Sequence, residues 1–168
     1  MKIAQNIQKG FPLIKLLIVI AVIGVLAVGA ITIINPLSQI QKAQDARRKS
    51  DLSQIQKAIE QYYQNIGSYP PYFAASDYRI KGLDGNAVNW GDSWLPYIST
   101  MPSDPSSSKN YVYFSTGQTY YIYATLDRGA NDSQVCNGGA ACSSLPVGAS
   151  CGVGTVCNYG VSSPNVSP

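Results

Sequence analysis

Residues Leu16 to Ile34, LLIVIAVIGVLAVGAITII, carry no charged side chain, and this run constrains the chain more than any other feature in it. As a helix of about 19 residues rising 1.5 Å each it is roughly 28 Å long, close to the hydrocarbon thickness of a bilayer. A helix apolar on every side either lies inside a large core or spans a membrane. The roughly 130 residues that follow are polar and turn-rich, too few to enclose it. Lys2, Lys9 and Lys15 all lie on its N-terminal side. The positive-inside bias therefore places that end in the cytoplasm and the rest of the chain outside, as a single-pass precursor in the cytoplasmic membrane.

The rest of the chain argues against chemistry. It contains no His, which removes the commonest general base and the commonest metal ligand together. It has no G-x-S-x-G nucleophile motif and no phosphate-binding loop, so the reading is not an enzyme. Charged residues make up only 12% of the sequence, and the net charge of +3 includes Lys2 and Lys9. Such mild basicity is a poor argument for a DNA partner.

Residues Met1 to Gly10, MKIAQNIQKG, are polar and precede the apolar run. An ordinary secretory signal is cleaved after its apolar region, whereas here the small residue Gly10 comes before it. The segment Gly10-Phe11-Pro12-Leu13-Ile14-Lys15-Leu16-Leu17, followed by IVIAVIGVLAVGAI, resembles the class III leader and N-terminal helix of type IV pilins and type II secretion pseudopilins. The resemblance implies cleavage by a prepilin peptidase between Gly10 and Phe11, then N-methylation of Phe11. It also implies extraction from the bilayer by an inner-membrane assembly platform and ATPase, and packing into a helical homopolymer.

One position departs from that family. The fifth residue after the cleavage site is usually Glu, which the family is thought to pair with the terminal amine of a neighbouring subunit; here it is Lys15. An ammonium repels that amine, although its aliphatic stem lets it snorkel toward headgroups. Lys15 thus marks either a lineage that tolerates it or a subunit placed specially, as at a filament tip.

Asn35-Pro36 interrupts the run: Pro36 removes a helical hydrogen bond, while the pair also suits the N-cap and first residue of a restarted helix. From Leu37 to Asn65 the composition is helical, and Leu52, Ile55, Ile59, Tyr62 and Ile66 recur at spacings of three and four, giving one apolar stripe. Lys57 and Glu60 fall on the opposite face. Gly67 and Pro70-Pro71 supply the stop. This stretch also resembles pseudopilins. Arg47-Arg48-Lys49 reads as a solvated face or an inter-subunit charge contact, with Asp45 and Asp51 neutralising it, ahead of DNA contact.

Tyr111–Ser115 and Thr119–Leu126 alternate around Thr116-Gly117-Gln118, predicting a β-hairpin whose apolar side covers the helix stripe. Trp90 and Trp94 are expected to be buried aromatics covering the helix. After the hairpin, Asp127, Asn131 and Asp132 stand where major pseudopilins often hold calcium, but they are few for an ion that takes six to eight oxygens, and a plain turn is the preferred reading. Cys136, Cys142, Cys151 and Cys157 read as disulfides of an oxidising compartment rather than a zinc site. Their spacing suggests two local loops, with nested and crossed pairings open. The last residues, from Val161, are expected to be disordered.

The expected architecture is α+β and pilin-like: a leader (1–10), a transmembrane and filament-core helix (11–36), its amphipathic second half (37–66), a connecting loop and hairpin head (67–132) and a Cys-containing tail (133–168). The expected function is a structural subunit of an extracytoplasmic pilus-like filament, extracellular or periplasmic, serving adhesion, motility, DNA uptake or protein secretion. The alternative is a non-polymerising, membrane-anchored binding protein, for which Lys15 is the supporting feature.

Overall fold

Two helices carry most of the regular structure: α1 (Leu13–Ile33) and α2 (Pro36–Ile66). The computed structural model describes residues 13–33, 35–74 and 78–168. The leader, Gly10, Phe11 and Ile34 lie outside them. The chain divides into two units, Met1–Gln39 and Ile40–Pro168.

In the first unit α1 is apolar apart from Lys15, and its described side chains are exposed to solvent, from Leu13 at 84% to Val28 at 66%. Among the described residues no helix is long and apolar enough to cross a membrane. The described side chains of α1 end at Gly29, so the expected span, Leu16 to Ile34, runs past them. Asn35 stands between the helices at φ 34°, a left-handed conformation that Asn tolerates better than most residues. The Ser38 amide donates to the Asn35 carbonyl at 3.1 Å and to its Oδ1 at 3.3 Å, capping the start of α2, and Pro36 at the first position loses no bond by lacking an N–H.

In the second unit α2 buries one face, built from Asp45, Arg48, Asp51, Leu52, Ile55, Ala58, Ile59 and Tyr62. Leu52, Ile55 and Ile59 are fully buried; Ile66, expected on the stripe, is instead 53% exposed. It sits in the last turn, beside Gly67, whose φ of 82° ends the helix as its amide donates to the Tyr63 carbonyl at 2.7 Å. Removing Ile55, Ile59 and Leu52 from water contributes about 1.5–3 kcal/mol each.

The sheet beneath α2 is antiparallel with order β3-β4-β5, where β3 is Val112–Ser115, β4 is Tyr120–Ala124 and β5 is Tyr159–Ser162. The hairpin strands are slightly shorter than the alternation predicted, and Gly117 at φ 86° makes the turn. The final residues are not disordered: Val161 pairs with Ile122 and Ser162 with Tyr121, and the Ser163 amide donates to Tyr120 at 3.1 Å. Four residues are too few for a periodicity to reveal, but they cover an edge of β4 whose backbone groups need partners. A two-stranded sheet, β1 (Tyr72–Phe73) with β2 (Arg79–Ile80), lies in the segment before the hairpin.

The two faces of the main sheet have different covers. Tyr113, Tyr120, Ile122 and Ala124 pack with Leu52, Ile55 and Ile59 of α2, joined by Trp94, whose ring lies 5.7 Å from that of Tyr62. On the other face Val112 and Tyr123 cluster with Cys142, Cys151 and Cys157. Cys136 is bonded to Cys142 and Cys151 to Cys157. The unit is therefore a helix, a sheet and a disulfide-stapled segment in three layers, an α+β arrangement.

Candidate functional site

The first buried turn of α2 is charged. Asp45 and Arg48 continue, toward the N-terminus, the three- and four-residue spacing of Leu52, Ile55, Ile59 and Tyr62, so helix geometry aims them at the same inner side. Arg48 has no exposed surface. Its Nε and Nη2 donate to the two oxygens of Asp104 at 2.8 and 3.1 Å. Its Nη1 donates to Asp45 at 2.8 Å and to Asp127 at 2.7 Å. Burial alone disfavours the charge, but the bonds to Asp104 and Asp127 more than reverse this, and the guanidinium pKa is raised. The expectation of a solvated Arg47-Arg48-Lys49 face is corrected here: only Arg47 projects, 3.8 Å from Asp51. A guanidinium has five donors, and three carboxylates satisfy it better than water reached through a packed sheet.

Asp45 does a second task. Its two oxygens accept the backbone amides of Asp127 and Arg128 at 2.8 and 2.9 Å, fixing the chain as it leaves β4. Beyond it, Gly129–Asn131 form a 3-10 turn. Gly129 is needed there, since a Cβ would meet Asn158 Nδ2 at 2.4 Å. Asn158 in turn bonds both backbone groups of Leu126, at 2.8 and 3.1 Å. Lys49 donates to Asp132 and, at 2.8 Å, to Gln134, and its ammonium sits 5.3 Å from the Tyr159 ring centre. One turn further, the Tyr111 hydroxyl donates to Asp51 at 2.8 Å. Burial, then that bond, raises the Tyr111 pKa, and burial outweighs the same bond to raise that of Asp51.

The calcium residues can be tested against this geometry. Asp127 Oδ2 is held by Arg48 and Oδ1 by Lys109. Asp132 Oδ2 is held by Lys49 and Oδ1 accepts the Gln134 amide at 2.9 Å. Asn131 is exposed at the rim of a groove of about 380 Å³ that Lys42, Asp45, Lys49 and Arg128 also line. Every carboxylate oxygen of the pair is engaged, and the adjacent side chains are cations. For Asp127 burial opposes ionisation, but Lys109 and Arg48 win and its pKa is lowered. The Lys49 bond lowers that of Asp132. Among the described residues no group of three or more His, Cys, Asp or Glu is arranged to hold a metal. The donors do not fit calcium; they fit the protein's own ammonium and guanidinium groups.

Glu60, assigned from spacing to the outer face with Lys57, instead accepts the Tyr120 hydroxyl at 2.9 Å. What the arrangement does chemically is fasten: α2 is tied to the segment before β3 through Asp104 and to the loop after β4 through Asp127, Arg128, Asp132 and Gln134. Asp104 and Asp127 were the partners hardest to read, each far from Arg48 along the chain. The signal that could have found the cluster was the helical spacing of Asp45 and Arg48 with the apolar stripe.

The match to known families covers this same unit. The family model for type II secretion system protein G matches residues 35–142, from the break before α2 through the first disulfide. No curated protein and no solved structure matches the chain. The match takes in most of the chain, and with the helix, the hairpin and their fastening on the page, the protein belongs to the type II secretion system protein G family of pseudopilins.

Proposed function

We propose that this chain is a filament subunit of a type II secretion apparatus: a precursor cleaved between Gly10 and Phe11, methylated at Phe11, and held by residues 16–34 in the cytoplasmic membrane. The assembly platform and its ATPase then draw it into a helical, periplasmic pseudopilus. The observation that carries this reading is α1. Its apolar side chains face solvent on all sides, with Leu13, Ile14 and Val25 at 84, 68 and 74% exposure, and such a surface requires lipid or other helices around it. Packing against neighbouring helices replaces lipid contacts with protein contacts of similar polarity, so transfer between the two is nearly balanced and can be driven by an ATPase. The second unit then serves as the subunit's head.

Electron microscopy of sheared material, with mass spectrometry of its N-terminus, tests the reading. Filaments whose subunit begins at methylated Phe11 are expected. Recovery of the chain only as an intact, membrane-retained monomer starting at Met1 would sink it and favour the tethered binding protein, the reading to which Lys15 lends support.

A further inference from the structure

Lys15 is the one charged residue of α1, and its neighbours Ile14, Leu16, Leu17, Ile18 and Val19 are apolar and 51–68% exposed. From Met1 to Gln44 the sequence contains no Asp or Glu at all. The first carboxylate, Asp45, is buried and already engaged by Arg48 and by the amides of Asp127 and Arg128. Cleavage before Phe11 would add a second positive charge, the new terminal amine, close to the first.

In a bilayer the Lys15 ammonium can reach headgroups and water along its stem. Packed among protein helices it loses both, and a charge taken out of water is tolerated only beside a counter-charge. Copies of this chain bring more cations and no anion to that level. We infer that Lys15 is an interaction site for a carboxylate carried on the apolar helix of a different subunit, so that this chain is one component of a mixed filament. The inference rests on the filament reading above. The partner is defined by chemistry: a subunit with a helix apolar like α1 and an Asp or Glu near its N-terminal end, able to neutralise the ammonium, the amine of the next chain, or both.

The test supplies that carboxylate on this chain itself. In host cells lacking every other pilin-like subunit, three strains express the full-length wild type, the Lys15→Glu variant, or both together, and sheared filaments are quantified. The pair is expected to give at least tenfold more filament than the wild type alone, with the two chains present in comparable amounts by mass spectrometry. Replacing the variant by Lys15→Gln should give no such rise; an equal rise would assign the effect to dilution of like charge and overturn the inference. Equal yields from the wild type alone and from the pair would also overturn it, leaving the filament reading intact, as would filaments from the pair that contain the Lys15→Glu chain alone. If nothing assembles in any strain, and sheared material from the parent cells holds no chain starting at Phe11, the filament reading fails and this inference falls with it.

Discussion

Arg48 donates two parallel hydrogen bonds to Asp104, 56 residues further along the chain, from a guanidinium with no solvent exposure. That pair joins α2 to the segment entering the sheet, and Asp45 and Asp127 complete its surroundings. Removing the cation takes the shared counter-charge from three carboxylates, of which Asp127 keeps a second cation, Lys109. Arg48→Ala is expected to lower unfolding free energy by about 3–5 kcal/mol, and Arg48→Lys, which keeps the charge but loses the forked geometry, by less. Urea denaturation followed by Trp fluorescence reads both, and near-wild-type midpoints would show that the cluster contributes little.

Acid and alkali should each unfold the head, through different residues. Asp127 and Asp132 have folded pKa values below their ordinary ones. Their stabilisation is thus present above the unfolded carboxyl pKa of about 3.9 and lost as pH falls through the folded values. Asp51, raised by burial, works in the opposite sense and blunts the loss. Tyr111, Tyr113, Tyr120 and Tyr123 are all raised, burial being the largest cause. Their contribution is present below the unfolded phenol pKa of about 10 and is lost above it. Absorbance at 295 nm should show these phenols ionising together with unfolding above about pH 10; gradual ionisation of a folded chain would contradict this.

The melting temperature should be the same in millimolar calcium and in EDTA, because Lys49, Lys109 and Arg48 occupy the oxygens a metal would need. Lys49→Ala should lower it in both. A rise of several degrees on adding calcium to the wild type would show that the ion displaces the ammonium groups.

Each disulfide joins cysteines six positions apart and so closes a short loop, worth about 2 kcal/mol on the chain-entropy scale. Cys151 and Cys157 are also fully buried beneath Val112 and Tyr123. Replacing both by Ser should therefore expose the Tyr159–Ser162 amides to hydrogen exchange while those around Ile55 stay protected. Unchanged protection of β5 would mean that strand pairing alone holds the tail.

What was legible in the sequence was local. The uncharged run is helical, within α1, from Leu16 to Ile33, the Leu52-to-Tyr62 spacing became a buried helix face, Gly67 ended that helix, and the two close cysteine pairs bonded within themselves. Each depends on residues a few positions apart, where periodicity, turn conformation and short loop closure decide the outcome. Tertiary structure decided the rest. Arg48, in a run that reads as solvent-facing, went inside because Asp104 and Asp127 meet it from distant segments, and a charge is buried only where such partners converge. Glu60 turned toward Tyr120, and four residues near the C-terminus became β5, for the same reason: a polar group follows the partner that folding brings to it, and no neighbour in the sequence announces which one that is.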